Sequence, residues 1–349
     1  MPAVQVDKNL IVQTTIQKEG IKFYNIDNEP FKIYGIWREG DRYYRVPSDV
    51  AKATSNNLVQ KSTQTAGGRL RFKTDSSYVA VKLNLHNVEQ ISMMAVTGTM
   101  GLDLYVDGAF VGSFCPPFDQ LDGDMESLKD LKTSKMREIT IHFPLYSGVT
   151  DFYVGLDENA RVEAAEPYRL DKPVVYYGSS ITNGGCCTRP GMTYEAQVSR
   201  MQNVDHINLG FGGSAKGELP MAEYIASLDM SAFVYDYDYN ARDAEYLLET
   251  HARLFNIVRE KHPSLPIIII TRPDVNPSED RDSRFAAIKK TYDDAINSGD
   301  KNVYFIDGSS FFKDFVGLGN DFTVDGVHPT DLGFYLMAKD VSKLLSEII

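Results

Sequence analysis

At 349 residues, with 43% hydrophobic and 24% charged side chains, the chain has an ordinary globular composition and the length of two domains. Its formal charge is −12, from 48 Asp and Glu against 36 Lys and Arg. That acidity argues against nucleic acid or an anionic membrane as partner, because both are bound through clustered cations.

The chain opens MPAVQVDKNL, without the basic stretch and apolar core of a signal peptide, and no apolar run has the length of a membrane span. The expectation is a cytoplasmic protein, or a secreted one if a leader has been removed. Up to about Leu156 the residues alternate in the β manner. Candidate strands are Lys22–Ile26, Phe31–Ile36, Arg42–Val46, Arg69–Lys73, Tyr78–Leu85, Leu102–Val106, Ala109–Phe114, Arg137–Phe143 and Phe152–Leu156. Val106-Asp107-Gly108-Ala109 suits a two-residue hairpin, since Asp-Gly accepts positive φ. With almost no helical periodicity in this half, the reading is a β-sandwich or jelly roll. Trp37, Tyr34, Tyr43 and Tyr44 either line a sugar-binding face or are core and edge aromatics. A polar stretch from Asp157 to Lys172 holds the boundary, giving a sandwich domain over 1–168 and a second domain over 169–349.

From Pro173 the rhythm changes. Strand candidates Val174–Tyr177, His206–Leu209, Ala232–Asp236, Ile267–Thr271 and Val303–Ile306 alternate with helical stretches Tyr194–Gln202, Glu218–Ser227, Ala244–Lys261, Arg284–Asn297 and Leu332–Ile348. Five apolar strands, each followed by an amphipathic helix, make an α/β fold. Its form is a doubly wound, flavodoxin-like parallel sheet with helices on both faces.

The first of those strands ends at Gly178-Ser179-Ser180, before a glycine-rich loop that starts at Ile181. Open α/β sheets place reactive groups at this edge, so Ser180 is the candidate nucleophile. A serine nucleophile needs a base, an orienting carboxylate and oxyanion donors. His328 in Asp325-Gly326-Val327-His328-Pro329 is the candidate base, with Asp325 three positions before it. His86, His142, His206, His251 and His262 read as structural. Asn208-Leu209-Gly210-Phe211-Gly212-Gly213-Ser214 follows the second strand, where glycine lets a backbone N–H approach a substrate. Asn240, after Tyr235-Asp236-Tyr237-Asp238-Tyr239, offers a side-chain amide, and Tyr239 beside it is a candidate substrate contact. Arg189 either meets a polar substrate or pairs structurally. Gly178–Gly185 lacks the lysine of a phosphate cradle. Cys186 and Cys187 have no second pair at metal-ligand spacing, and with Cys115 the odd count does not suit a disulfide framework. No metal and no cofactor is expected.

These four blocks, in this order, resemble the SGNH (GDSL-like) hydrolase superfamily. The resemblance implies Ser180 as nucleophile, Asp325 and His328 as its partners, and an oxyanion hole formed by Ser180, Gly213 and Asn240. Gly101-Leu102-Asp103-Leu104-Tyr105 looks like the G-x-D-L-Y signature of a β-sandwich domain that precedes one branch of these hydrolases. Two departures stand out: Ser179 replaces the usual aspartate before the nucleophile, and the third block reads Tyr-Asp-Tyr-Asn rather than Gly-x-Asn-Asp. The resemblance implies a serine esterase acting on O-acyl, foremost O-acetyl, esters of a small-molecule or oligosaccharide substrate. The lack of an apolar lid-like segment argues against a lipase on insoluble fat. Two alternatives stay open: an acyltransferase with the same triad, and a carbohydrate-binding protein with a vestigial hydrolase domain. Oligomeric state is not legible.

Overall fold

In the computed structural model, which describes residues 3–7, 10–273, 278–313 and 321–349, the alternating segments of the first half pair into two antiparallel sheets. One runs in the order Ala109–Phe114, Leu102–Val106, Arg137–His142, Arg69–Thr74, Val162–Glu163, with Lys32–Tyr34 also pairing on Arg69–Thr74. The other runs Gly123–Asp130, Tyr78–His86, Gly148–Asp157, Ile21–Asn25. Their inner faces share one core that includes Leu70, Phe72, Val81, Leu104, Ile141 and Val154. The Asp107-Gly108 turn has φ of +49° and +78°, as a primed hairpin turn requires. Tyr34 and Tyr43 are buried, and the Tyr43 hydroxyl donates to Asp27 at 2.6 Å, so these two are core aromatics. Trp37 and Tyr44 face each other across a short two-stranded hairpin, both half-buried.

The second half forms a parallel five-stranded sheet of Val174–Gly178, His206–Gly210, Ala232–Asp236, Ile267–Ile270 and Val303–Ile306, in spatial order 2-1-3-4-5. Helices Tyr194–Gln202 and Asp331–Ile348 pack together, as do Leu219–Ser227, Ala244–Lys261 and Arg281–Asn297. Alternation along the strands sends Val175, Tyr177, Tyr235 and Ile269 into the core shared with the second group. Ala244–Lys261 shows why these helices form. Asp243 caps it by accepting from Tyr246 N at 2.8 Å, and Leu247, His251, Leu254, Phe255 and Val258 recur at helical spacing on its buried side.

The compact units do not follow the chain order. Thr188–Gly191 belong with the sandwich unit, and Val46–Ser62 with the α/β unit. The latter segment corrects the expectation that helices are nearly absent from the first half. It contains Ser48–Thr54 and Asn56–Lys61, joined by Ser55, whose hydroxyl accepts from Leu58 N at 3.2 Å and caps the second helix. Val46, Ala51 and Leu58 enter the same core as Met221, Ala222 and Ile225.

Candidate active site

Parallel register aligns Gly178 with Gly210 on one side and with Asp236 on the other. Ser180, Gly213 and Asn240 therefore all follow the carboxyl edge of the sheet within a few residues. Where a glycine-rich loop was expected, the residues after Ser179 first make one helical turn, Ser180–Asn183. It is capped by Ser179 Oγ at 3.2 Å from Ile181 N and closed by Gly184 at φ +94°. A serine that precedes a helical turn can accept one of its unpaired amides as an N-cap, and Ser179 does so.

Ser180 Oγ lies 2.7 Å from His328 Nε2, and His328 Nδ1 lies 2.8 Å from Asp325 Oδ2. A carboxylate accepts only, so Nδ1 carries the proton there and Nε2 is left to accept from the serine hydroxyl. Asp325 Oδ1 accepts the N–H of Val327 at 3.0 Å and of His328 at 2.8 Å, which orients the other oxygen at the ring. Partial burial is the largest influence on this carboxyl and pushes its pKa up. The amides and the imidazole outweigh it and hold the group below the usual aspartate value. The loop is pinned by Val324 N donating to His328 O and Thr330 N to Phe322 O, both at 2.8 Å, with Gly326 at φ +86° making the turn. Thr330 then caps the last helix.

Gly213 and Asn240 are brought together, but onto each other. Gly213 N–H donates to Asn240 Oδ1 at 2.9 Å, and Asn240 Nδ2 donates to Phe211 O at 3.0 Å. As oxyanion donors, Gly213 would exchange Asn240 for the substrate oxygen and Asn240 would use its second amide hydrogen. Gly213 has φ +68° and open space around its missing Cβ, so the glycine serves conformation there.

Of the tentative substrate contacts, Tyr239 lies under the Arg272 guanidinium at 5.3 Å. Arg189 takes the structural one of its two readings. Its Nη1 donates to Asp103 Oδ2 at 2.9 Å and to the Tyr105 hydroxyl at 2.7 Å, and the guanidinium stacks 3.7 Å from the Phe110 ring centroid. Asp103 also accepts from Gly191 N at 2.9 Å and from Ser113 Oγ at 2.7 Å. The Asp and Tyr of the G-x-D-L-Y segment thus hold residues 188–191. A Cβ on its glycine, Gly101, would come within 2.5 Å of Thr97 O. Cys186 and Cys187 are buried, and burial pushes the Cys186 thiol up to about 11. Among the described residues no group of three or more His, Cys, Asp or Glu is placed to hold a metal, and no helix is long and apolar enough to cross a membrane.

Residue-level reading of the sequence missed two buried acids beneath the Ser180 turn. Asp236 accepts from the Thr182 hydroxyl and from the backbone N–H of Ser179. Glu195 accepts from Asn208 Nδ2, which also donates to Thr182 O at 2.7 Å. Burial raises Asp236 to about 7 and Glu195 well above the usual glutamate value. The signal for Asp236 was its place at the end of the third strand, beside the strand that delivers the serine.

The model of the GDSL-like lipase/acylhydrolase family matches residues 171–346, and a model for the N-terminus of SGNH-hydrolase-type esterases matches residues 21–162. A protein from Bacteroides ovatus ATCC 8483, described as a GDSL-like lipase, is 29% identical with a TM-score of 0.83, over 94% of this chain and 98% of its own. A salicylyl-acyltransferase from a tetracycline biosynthetic pathway shares the fold at 19% identity and a TM-score of 0.79, over 95% and 98%. An acetyl xylan esterase from Butyrivibrio proteoclasticus shares it at 14% identity and a TM-score of 0.61, over 94% and 98%. No curated protein matches in sequence. The family model covers the whole parallel sheet, from the strand before Ser180 to the helix after His328, and the chain belongs to the GDSL-like lipase/acylhydrolase family.

Proposed function

We propose that this chain is a serine esterase that removes O-acetyl groups from carbohydrates through an acyl-enzyme. The observation that carries the reading is the continuous set of contacts Ser180 Oγ–His328 Nε2–Nδ1–Asp325, at 2.7 and 2.8 Å. Ser180 Oγ attacks the ester carbonyl carbon while its proton passes to His328 Nε2. The tetrahedral adduct places its negative oxygen at the amides of Ser180 and Gly213 and at Asn240 Nδ2. Collapse breaks the bond to the sugar oxygen, which leaves as an alcohol with the proton from Nε2. Water, deprotonated by the same nitrogen, then releases acetate and restores Ser180. Asp325 keeps its charge throughout and stabilises the imidazolium. Each oxyanion donor contributes about 10²–10³ in rate. Carbohydrate esterases among proteins of the same fold support the substrate class.

The test is hydrolysis of p-nitrophenyl acetate by wild type and Ser180→Ala, followed by acetylated xylo- and manno-oligosaccharides. Turnover by the wild type alone, with acetate released from an oligosaccharide, is the expected result. Activity that survives Ser180→Ala removes the mechanism. Acyl transfer to an added alcohol in preference to water would make the enzyme an acyltransferase.

A further inference from the structure

Ser180 sits in a helix of four residues, Ser180–Asn183. A helix that short has no stability of its own, because one turn repays little of the cost of nucleation. The direction of Ser180 Oγ is therefore set from outside the turn. Three groups hold it, all within the α/β unit. Tyr194 brings its hydroxyl within 3.3 Å of Thr182 Oγ1. Asn208 donates to Thr182 O at 2.7 Å, while its Oδ1 accepts Gly210 N–H at 2.8 Å. Asp236 accepts from Thr182 Oγ1 and from the backbone N–H of Ser179. This last group is the tightest part of the assembly. A Cβ built on Gly178 would fall 1.7 Å from Asp236 Oδ1 and 2.2 Å from Thr182 Oγ1, so glycine, carboxyl and hydroxyl fill one space.

We propose that Asp236 is a positioning residue for the nucleophile: its carboxyl grips the chain immediately before Ser180 and two residues after it, and so aims Oγ at His328. The proposal rests on Ser180 being the nucleophile. Asp236 touches neither Ser180 Oγ nor His328 in the contacts described, and the chemistry above makes no use of it. Thus the sequence, which carries serine rather than aspartate at position 179, receives a carboxyl at that residue's amide from the neighbouring strand. The groups facing Asp236 are Thr182 on the turn, Tyr194 and Glu195 on the following helix, Ser179 N–H, and Asp238 two residues on. No cation is among them, and burial accordingly raises the carboxyl to about 7, where an amide is a fair replacement for its protonated form.

Displacing a reacting atom by an ångström can cost about 100-fold. Asp236→Ala is expected to lower kcat on p-nitrophenyl acetate by about that factor, with KM unchanged and with the rate of Ser180 labelling by a fluorophosphonate slowed in proportion. Asp236→Asn, which keeps shape and an acceptor, is expected to restore most of the loss. Rates are expressed per active site titrated, so that a merely less stable protein, with fewer but normal sites, does not imitate the effect. Thr182→Val, which removes the bridging hydroxyl at constant volume, is expected to slow labelling about 10-fold and serves if Asp236→Ala does not fold. Wild-type kcat per site in folded Asp236→Ala, or unaltered labelling in Thr182→Val, overturns the proposal while leaving the esterase reading intact. A wild type that neither turns over ester nor labels at Ser180 overturns both.

Discussion

In the sandwich unit Arg71 is 4% exposed and meets Glu138 at 2.7 Å, and Arg189 meets the fully buried Asp103 at 2.9 Å. Beneath the Ser180 turn the buried ionisable groups are acids, Asp236 and Glu195, held by hydroxyls and amides, with no Lys or Arg paired to either among the described residues. The α/β unit has cations to spare for such a role: two positions on, Asp238 is met by Arg284 at 3.1 Å. The difference lies in what each arrangement can do. An ion pair offsets its desolvation by attraction and fixes two segments to each other. An unpaired buried acid avoids the cost of a charge by keeping its proton, and then both donates and accepts hydrogen bonds. The paired charges secure loops and strands, and the unpaired acids lie under the Ser180 turn.

The largest effect that sharpens this contrast is at Asp325, the acid at the site that is held charged. Asp325→Asn is expected to cost about 10³–10⁴ in kcat by favouring the wrong imidazole tautomer, with little change in thermal stability. Steady-state kinetics and a melting curve on one preparation check both halves. Breaking a pair in the sandwich unit has the opposite profile. Asp103→Ala leaves the Arg189 guanidinium, the Gly191 amide and the Ser113 hydroxyl without their acceptor, and is expected to lower unfolding free energy by about 3 kcal/mol in a urea titration. A loss near zero would mean that the pair is incidental.

A third effect is in the pH dependence. The Asp236 carboxyl ionises near 3.8 in the unfolded chain and near about 7 in the folded one. Between those values the folded state keeps a proton that the unfolded state gives up, so the contribution of Asp236 to stability declines as pH rises through that window. Asp236→Asn removes this slope. The wild type is therefore expected to lose ground relative to the variant in melting temperature from about pH 4 to about pH 7. Parallel curves would place a counter-charge near Asp236.

Much of this was legible in the sequence. The five central strands stand out as apolar runs, and Tyr194–Gln202 and Ala244–Lys261 are bounded by their caps Thr193 and Asp243. Ser180, Asp325 and His328 were legible as an ordered set. The strand Gly123–Asp130 was missed because it reads GDMESLKD, with Met125 as its buried hydrophobic residue and Glu126 tied to Lys82. The helices at 48–61 bury one residue each, Ala51 and Leu58, too few for a period to show. Asp236 was in plain view. Its meaning depends on strand register, which brings it opposite Gly178, and register is not written in local sequence.

The placement of Val46, Ala51 and Leu58 in the α/β core bears on how the protein can be divided. A gene cut after codon 168 would not yield two autonomous pieces. The downstream product would retain Ser180, Asp325 and His328 yet lack Val46, Ala51 and Leu58, and would open to water part of the core that also holds Met221, Ala222 and Ile225. Adding a peptide that spans 46–62 back to such a fragment would be a form of complementation, with the missing wedge supplied in trans.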